Sequence, residues 1–370
     1  MIAVLRNEGS QPPGTKEGRM NSALDASPVR QFQFLRAFLG WLAFFVGAYW
    51  LVYSIIDPRR DFFGRWFPAV VTKIRQGKLD AFDRYNQQQP VTGILLGSSR
   101  SAVLEPAVLD KAIGGRFFNS AVFAGQAEDY LAFYRVYRTK SPALKHVVVG
   151  IDPLALDPRD DRTADFAANF TLVSHLEQTQ GSPVAATLHW LGLYKRTLRT
   201  EAVAEMIRSV RGLFNKTRDS VEVAPDGHVR YLERERRIKE GSYDHAASIR
   251  ELVGFAMDQY RGIDKLAPER MKYLETLIEE VRRDGRTITL WIAPLHPDVM
   301  AAFRADPVVE ANYRRSIGYL LGLRERFGVR VDDLTDISLY GGDPARWYDA
   351  IHYHPADGRK ILAHMAGKGL

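Results

Sequence analysis

The sequence predicts an α/β protein built on a doubly wound, five-stranded parallel sheet, with a helical insertion and one N-terminal transmembrane helix. Three observations predict this class. From residue 91 onwards, short apolar runs alternate with longer amphipathic segments, the order typical of strands and helices in a parallel sheet. The run at 147–149 is apolar at every position, as in a strand covered on both faces. A charge-free apolar stretch at 37–56 is long enough to cross a bilayer as a helix.

Composition and charge narrow the classes of function. The chain has 370 residues, and 46% of them are hydrophobic, which is ample for a large core. The net charge is +7. Because the basic residues are mixed with acidic ones and form no long run, the charge favours an anionic membrane surface or polymer over nucleic acid. Cysteine is absent, which excludes disulfides, thiolate catalysis and cysteine-ligated zinc.

The N-terminal part divides into a tail, an anchor and a linker. Residues 1–33 contain Pro, Gly and Ser with little apolar periodicity, and we predict a flexible tail. Residues 34–57 are the predicted transmembrane anchor. A cleaved signal peptide is the alternative, but the segment lacks a convincing small-residue cleavage site. Arginines flank the span on both sides, and we expect the tail inside and the large domain outside the membrane.

Residues 58–90 are predicted to be a linker with an amphipathic helix. Pro68 would interrupt or kink that helix. Two placements stay open at this point, on the membrane surface or packed against the following domain. The apolar residues spaced like one helical face are Phe63, Trp66, Phe67, Val70, Val71 and Ile74.

Residues 91–370 are predicted to form the main domain. Strands are expected at 92–96, 116–119, 145–151, 287–293 and 329–331. Helices are expected at 106–113, 127–139, 268–283, within 309–327 and at 355–366. In such sheets the functional site lies beyond the carboxyl ends of the strands. Four aromatic residues of the second helix fall on one side and are predicted to be core: Tyr130, Phe133, Tyr134 and Tyr137.

An insertion at 154–265 is far too long for a plain crossover between two strands. Its part at 184–214 is rich in helix formers, and 221–232 is predicted to be a hairpin that turns at Pro225-Asp226-Gly227. The charged run 233–237 is most simply a solvated face. We expect the insertion to form a cap or subdomain beside the site. It has enough Trp, Tyr, Arg and His to contact a sugar, but packing is the simpler role for any single one of these residues. Its apolar residues at roughly helical spacing are Leu188, Leu191, Tyr194 and Leu198.

The first strand stops abruptly at Gly97-Ser98-Ser99-Arg100-Ser101. A serine at the end of a buried strand can be lifted to the top of the sheet, where its oxygen is exposed to a substrate. The same pattern also describes an ordinary turn whose serine caps the next helix, and alone it favours that interpretation.

A second motif lies far along the chain, where Asp349 precedes His352 by three residues. A serine is activated by a histidine whose orientation an acid holds, and these residues can serve one such site. Two alternatives stay open for the histidines. His354 adds a His-x-His pair that suits a metal ion, although no companion cluster presents itself. His296 follows the fourth strand between prolines and is more simply a turn residue than a site residue.

Together these motifs resemble the SGNH/GDSL hydrolase superfamily. Gly97-Ser98-Ser99 resembles its first block, which implies that Ser99 is the nucleophile. Asp349 and His352 resemble its last block, with His352 as general base and Asp349 as its orienting acid. The stretch 118–125 resembles the second block. It implies that the backbone amides of Ser99 and Gly125 bind the oxyanion, with Asn119 nearby. The implied architecture is the flavodoxin-like SGNH fold.

The chain departs from that family in its third block. The family has an asparagine after the third strand, whose amide donates to the oxyanion, and this chain has Asp152 followed by Pro153. A carboxylate cannot donate a hydrogen bond unless it is protonated. Three consequences stay open: the oxyanion hole lacks one donor, Asp152 binds a substrate hydroxyl, or the site is inactive. A purely structural Asp152, fixing the turn before Pro153, is a fourth.

The resemblance is closest to a membrane-anchored branch similar to proteins of teichoic-acid D-alanylation and polysaccharide O-acetylation. It implies a serine esterase or O-acyltransferase that forms an acyl-enzyme on Ser99, needs no cofactor and acts on cell-envelope polysaccharide. The implied partners are an acyl donor, the membrane and a membrane-bound O-acyltransferase, with the large domain outside the cytoplasmic membrane. The alternatives are a catalytically inactive accessory or polysaccharide-binding protein and a basic membrane-surface scaffold.

Overall fold

The computed structural model describes residues 28–62, 64, 66–68, 73–159, 163–213 and 221–369. The chain divides into two compact units between Tyr53 and Ser54. The strands are β1 (Gly93–Gly97), β2 (Phe117–Asn119), β3 (His146–Ile151), β4 (Val221–Val223), β5 (Val229–Tyr231), β6 (Thr287–Ile292) and β7 (Arg330–Asp333). The helices are α1 (Pro28–Ile56), α2 (Ile74–Gln88), α3 (Ser99–Ala102), α4 (Ala107–Leu109), α5 (Ala127–Lys140), α6 (Ala164–Ala168), α7 (Phe170–Glu177), α8 (Pro183–Thr197), α9 (Thr200–Gly212), α10 (Leu232–Lys239), α11 (His245–Arg261), α12 (Pro268–Arg283), α13 (Pro297–Ala305), α14 (Pro307–Phe327) and α15 (Pro355–Gly367).

Helix α1 contains the predicted anchor. Its part Arg30–Ile56 has a mean hydropathy of 1.8 and is long and apolar enough to span a membrane. The helix begins at Pro28, so residues 28–33, predicted as the end of the tail, are helical. Proline is well suited to the first position of a helix, because its missing N–H has no partner there in any case. Residues 1–27 of the predicted tail lie outside the described residues.

The predicted linker helix is shorter than expected. The helix α2 begins at Ile74, and the described residues between 57 and 73 are not helical. Of the predicted apolar face, Phe63, Val70 and Val71 lie outside the described residues, and Trp66 is 84% exposed. Leu79 and Phe82 are buried in the main core, so α2 packs against the domain. The alternative of a helix on the membrane surface therefore does not apply to residues 74–88.

A five-stranded sheet, parallel throughout, confirms the predicted α/β class. The strand order is β2-β1-β3-β6-β7. The register pairs Gly97 with Gly150 across β1 and β3, so these strands end side by side. The chain runs from β1 outwards to β2 and returns to β3 on the other side of β1, so its direction of travel reverses between β1 and β3. In open sheets, ligands bind beyond the carboxyl ends of the strands at such a point.

Two groups of buried side chains stabilise the unit formed by residues 54–370. The larger one surrounds the sheet and includes all four predicted aromatic residues of α5, which confirms their core role. The smaller one joins α11 of the insertion to α13 and α14, and it includes Ala350 and Ile351. The insertion thus shares a core with the segment that carries Asp349 and His352.

The insertion contains the expected helices and the expected hairpin. Strands β4 and β5 pair antiparallel, and Gly227 in their turn has a φ of +89°, which only glycine adopts readily. The helical part is two helices, α8 and α9. Three leucines of the row at helical spacing, Leu188, Leu191 and Leu198, are exposed.

A buried lysine connects α2 to the end of β2 and to the hairpin turn. The Nζ of Lys78 donates to the carbonyl oxygens of Asn119, at 3.0 Å, and of Gly227. Burial lowers the pKa of Lys78 to about 7, and the charge of Asp226 opposes this shift only in part. The folded state therefore holds a neutral amine at this position above pH 7.

We expect Lys78 to make stability depend on pH. Between pH 7 and about 10 the unfolded chain binds a proton at Lys78 that the folded chain does not, so the free energy of unfolding rises with pH by at most about 1.4 kcal/mol per unit. Urea unfolding of the full chain in detergent at pH 7, 8 and 9 measures this slope. The variant Lys78→Met should show a flatter slope in this window. Equal slopes for the two proteins would contradict the assignment.

Candidate active site

Local packing fixes the turn that presents Ser99. Strand β1 ends at Gly97, Ser98 caps α3 by accepting the N–H of Arg100 at 3.4 Å, and Ser99 is the first helical residue. The buried Ser101 hydroxyl lies where a Cβ on either Gly97 or Gly150 would overlap it. The two glycines at the ends of β1 and β3 therefore allow the short helix to sit directly over the sheet.

Ser99, His352 and Asp349 form a chain of hydrogen bonds. Ser99 Oγ lies 2.9 Å from His352 Nε2, and His352 Nδ1 lies 2.9 and 3.0 Å from the two carboxylate oxygens of Asp349. A carboxylate only accepts, so Nδ1 carries the proton and donates it. The lone pair of Nε2 then accepts the hydroxyl proton of Ser99. The structure brings together the three residues predicted for catalysis, and Ser98 is the one that caps the helix.

Asp349 is held tightly in its loop. Its Oδ1 accepts the backbone N–H groups of Ile351 and His352, both at 2.8 Å. Burial raises the pKa of Asp349, but the hydrogen bond and charge of His352 and the two amides outweigh it, and the pKa lies below its ordinary value. Asp349 is thus a carboxylate at neutral pH. Its side chain is 4% exposed and that of His352 17%, so the imidazole is the part open to a ligand.

A cleft of about 380 Å³ opens at this point, beyond the ends of β1, β2 and β3. Ser99 and His352 lie on its wall, and apolar side chains form much of the remainder. Leu252 and Phe255 come from α11, so the insertion covers one side of the cleft as expected of a cap. The lining residues are Ser98, Ser99, Ala124, Gly125, Gln126, Asp152, Leu154, Ala155, Leu252, Phe255, Gln259, Ile351 and His352.

Gly125 lies against the nucleophile turn, but its amide is engaged. A Cβ at this position would overlap the carbonyl oxygen of Gly97, so only glycine fits. The N–H of Gly125 donates to the carbonyl oxygen of Val122 at 3.2 Å, which corrects the expectation of an amide ready for the oxyanion. The N–H of Ser99 stands in the first turn of α3, where amides have no partner within the helix. It fits the predicted donor role better.

Asn119 is not in the cleft, and its predicted role in binding is wrong. Its side chain is fully buried, and its amide donates to the carbonyl oxygens of Ser101, Ala102 and Leu104. Its Oδ1 accepts the N–H of Ala121 at 2.9 Å. The carbonyl groups at the end of a short helix need donors from outside it, and Asn119 supplies them. Asn119 thus stabilises the short helix α3 that begins at Ser99.

Asp152 lines the cleft and forms a buried ion pair with Arg100. Its Oδ1 lies 2.6 Å from a terminal nitrogen of Arg100 and accepts the N–H of Leu154 at 3.0 Å. The other terminal nitrogen of Arg100 donates to the carbonyl oxygens of Ala293 and Pro294 after β6. Arg100 directly follows Ser99, and its contacts therefore connect the nucleophile turn to the ends of β3 and β6. The geometry favours the structural interpretation of Asp152.

The insertion also contacts the acid of the triad. Arg234 of α10 donates to Asp349 Oδ2 at 3.2 Å and lies over the ring of Tyr231. Its neighbour Glu235 accepts the hydroxyl hydrogen of Tyr348. The prediction that 233–237 is simply a solvated face is therefore wrong for these two residues. It holds for Arg236, which pairs with Glu233 and Glu240 on the exposed side.

Arg234 is expected to position Asp349. The variant Arg234→Gln should lower kcat for an ester about tenfold with KM unchanged, because one charge-assisted hydrogen bond to the carboxylate contributes about 1.4 kcal/mol. Steady-state kinetics measure this effect. The matched control Arg236→Gln removes a charge from the same helix and should keep wild-type kinetics. Equal kcat values for the two variants would contradict the role.

The two other histidines considered from the sequence, His296 and His354, cap helices. His296 caps α13 by accepting the N–H of Asp298, it is buried against Trp347, and burial lowers its pKa. His354 caps α15, and its Nε2 lies 3.5 Å from Glu235. Within the described ranges, no three His, Asp or Glu side chains are grouped so as to hold a metal ion.

Three residues of the site were not identified from the sequence: Arg100, Arg234 and Gln126. Gln126 lines the cleft, and its Oε1 accepts a hydrogen bond from Arg270 at 2.7 Å, which leaves the amide –NH₂ on the other side of the group. Its position next to Gly125 is the signal that could have found it. The signal for Arg100 is that it is the one charged residue in the turn 97–101, which follows a buried strand.

No protein-family model matches the chain, and no curated protein matches it.

Proposed function

We propose that this protein is a membrane-anchored serine esterase or O-acyltransferase that forms an acyl-enzyme on Ser99. The observation that carries the proposal is the hydrogen-bonded series from Ser99 to His352 to Asp349 at the mouth of a largely apolar cleft. The series connects two motifs that are 250 residues apart in the sequence. A nucleophile, a base and an orienting acid in this order are the requirements of acyl transfer through serine.

The first half of the reaction forms the acyl-enzyme. Ser99 Oγ attacks the carbonyl carbon of an ester or thioester while its proton passes to His352 Nε2. The carbonyl oxygen becomes an oxyanion, for which the N–H of Ser99 and the amide of Gln126 are the candidate donors. The bond to the leaving group breaks, and that group takes the proton from His352. Asp349 stabilises the imidazolium while it exists.

The second half releases the acyl group. A hydroxyl group of the acceptor, or water, gives its proton to His352 and attacks the acyl carbon. The bond to Ser99 Oγ breaks, and Ser99 regains a proton from His352. An apolar cleft side formed by Leu154, Leu252 and Phe255 suits an acyl chain, and it also limits the access of water to the ester.

The proposal also includes the fold family, the acceptor of the acyl group and the cellular location. The order β2-β1-β3-β6-β7 and the position of the cleft are consistent with a doubly wound SGNH-type domain. The resemblance of the motifs favours cell-envelope polysaccharide as acceptor and a membrane-bound O-acyltransferase as partner. With α1 as a single span, the domain would act on the outer side of the cytoplasmic membrane.

The experiment is rapid-mixing kinetics of the full chain in detergent with p-nitrophenyl acetate. An acyl-enzyme predicts a burst of p-nitrophenol with an amplitude equal to the concentration of active sites, followed by slower turnover. Asp152, in the place of the expected asparagine, favours a second candidate, a catalytically inactive accessory protein. That candidate predicts neither burst nor turnover, and this result would overturn the proposal.

A further inference from the structure

The helices α8 and α9, here called the apolar hairpin (residues 183–212), expose apolar side chains instead of burying them. Val184, Leu188 and Leu191 repeat at positions i, i+4 and i+7, which is one face of α8. Val203 and Ile207 form a similar pair on α9. Between 44% and 68% of each of these five residues is exposed. Other faces of the same helices are packed, since Leu193 and Met206 are buried. Within the part of the chain that the structure describes, the exposed rows are therefore faces of folded helices that no other element covers.

The apolar hairpin packs on the segment that directly follows α1. Arg59 forms a two-point ion pair with Glu205 of α9, with distances of 2.5 and 2.9 Å. Ser209 Oγ donates to the carbonyl oxygen of Pro68 at 2.6 Å. The ring of Phe62 lies 5.0 Å from that of Tyr194 on α8. These contacts fix both helices to residues 59–68.

Chain length keeps this segment close to any membrane that α1 spans. Ile56 is the last residue of α1, and Arg59 follows three positions later. Three residues extend at most about 10 Å, so Arg59 and its partner Glu205 stand near the bilayer surface when α1 crosses it. Trp66 in the same segment is 84% exposed, and tryptophan is enriched at membrane interfaces.

The charge of the apolar hairpin suits an anionic lipid surface. Its sequence carries five basic residues and two acidic ones, and one of the acidic residues, Glu205, is already paired with Arg59. Basic side chains beside an apolar face are typical of helices that lie in the membrane interface. The basic residues are Lys195, Arg196, Arg199, Arg208 and Arg211.

We propose that the apolar hairpin lies on the surface of the bilayer that α1 spans, with the exposed rows of α8 and α9 inserted among anionic lipids. This contact adds a second attachment to the single helix and holds the domain of residues 54–370 in one orientation above the membrane. The proposal is independent of the chemistry at Ser99 and rests on α1 crossing the membrane.

Fluorescence quenching tests the proposal with the full chain, which contains no cysteine and therefore accepts single labels. Leu191→Cys and Ile207→Cys carry a polarity-sensitive dye, and Val308→Cys, an exposed position at the start of α14, is the matched control. The proteins are placed in vesicles of phosphatidylcholine and phosphatidylglycerol that contain spin-labelled lipid. We expect the labels at 191 and 207 to shift to the blue and lose most of their emission, and the label at 308 to do neither.

Three results would overturn the proposal. In the first, the labels at 191 and 207 are not quenched by the spin-labelled lipid and are open to iodide in the water. In the second, they are protected from iodide without quenching by lipid, which means that protein, such as a second copy of the chain, covers the hairpin. In the third, the control label at 308 is quenched equally, which means that the dye itself drives the insertion.

Discussion

Replacing Ser99 by alanine is expected to lower the rate of ester cleavage by about 10⁴-fold or more, since removal of one member of a serine triad costs nearly as much as removal of all three. The structure gives the reason, because Ser99 Oγ is the hydroxyl within 2.9 Å of His352 Nε2. Turnover of p-nitrophenyl acetate by the full chain measures the loss. The fold should persist, because this side chain is half-buried and its removal leaves the cap of α3 intact.

The neighbouring serine provides the control for this variant. Ser98→Ala removes the cap of α3, which is the hydrogen bond from the backbone N–H of Arg100 to Ser98 Oγ at 3.4 Å. It leaves the hydroxyl of Ser99 in place. We expect a loss of about 1 kcal/mol in stability and a rate within about tenfold of the wild type. If Ser99→Ala keeps the wild-type rate, or if Ser98→Ala loses as much, the cleavage does not proceed through Ser99.

The second large effect concerns the buried pair of Arg100 and Asp152. Arg100→Met should lower the free energy of unfolding by about 3–5 kcal/mol, because it leaves the Asp152 carboxylate buried without its cation. Asp152→Asn should destabilise for the matching reason, and it should lower the rate rather than raise it. Urea unfolding and ester kinetics on the same samples measure both effects.

The double variant Arg100→Met/Asp152→Asn separates a coupled pair from two independent residues. Because neither charge remains, we expect the double variant to lose less stability than the two single variants together. Additive losses would mean that the pair does not interact. An increased rate in Asp152→Asn would mean that the asparagine amide restores an oxyanion donor that Asp152 cannot supply. The native site would then be an impaired hydrolase site.

Much of the scaffold could be predicted because it follows from local patterns. The five strands of the parallel sheet coincide with apolar runs in the sequence, and α12 coincides with a segment of helical periodicity. Ser99, Asp349 and His352 could be grouped because a serine nucleophile needs a histidine and an orienting acid, and because the order of their motifs resembles that of a known family.

What could not be predicted depends on contacts between distant segments. The pairing of Arg100 with Asp152 joins the ends of β1 and β3, and the sequence shows only an aspartate in place of an asparagine. Arg234 belongs to a charged run in which Arg236 and Arg237 are exposed, and its contact with Asp349 depends on how the insertion folds back. Asn119 was predicted to lie near the oxyanion. The sequence does not show that its side-chain amide donates to three backbone carbonyl groups, because these contacts form only in the folded protein.

Covalent labelling tests whether Ser99 is the nucleophile. The full chain, its Ser99→Ala variant and its Ser98→Ala variant are incubated with a serine-reactive fluorophosphonate, and the modified residue is located by peptide mass spectrometry. A nucleophilic Ser99 predicts one adduct on Ser99 in the wild type and in Ser98→Ala, and none in Ser99→Ala. An unlabelled wild type, or an adduct at another serine, would contradict it.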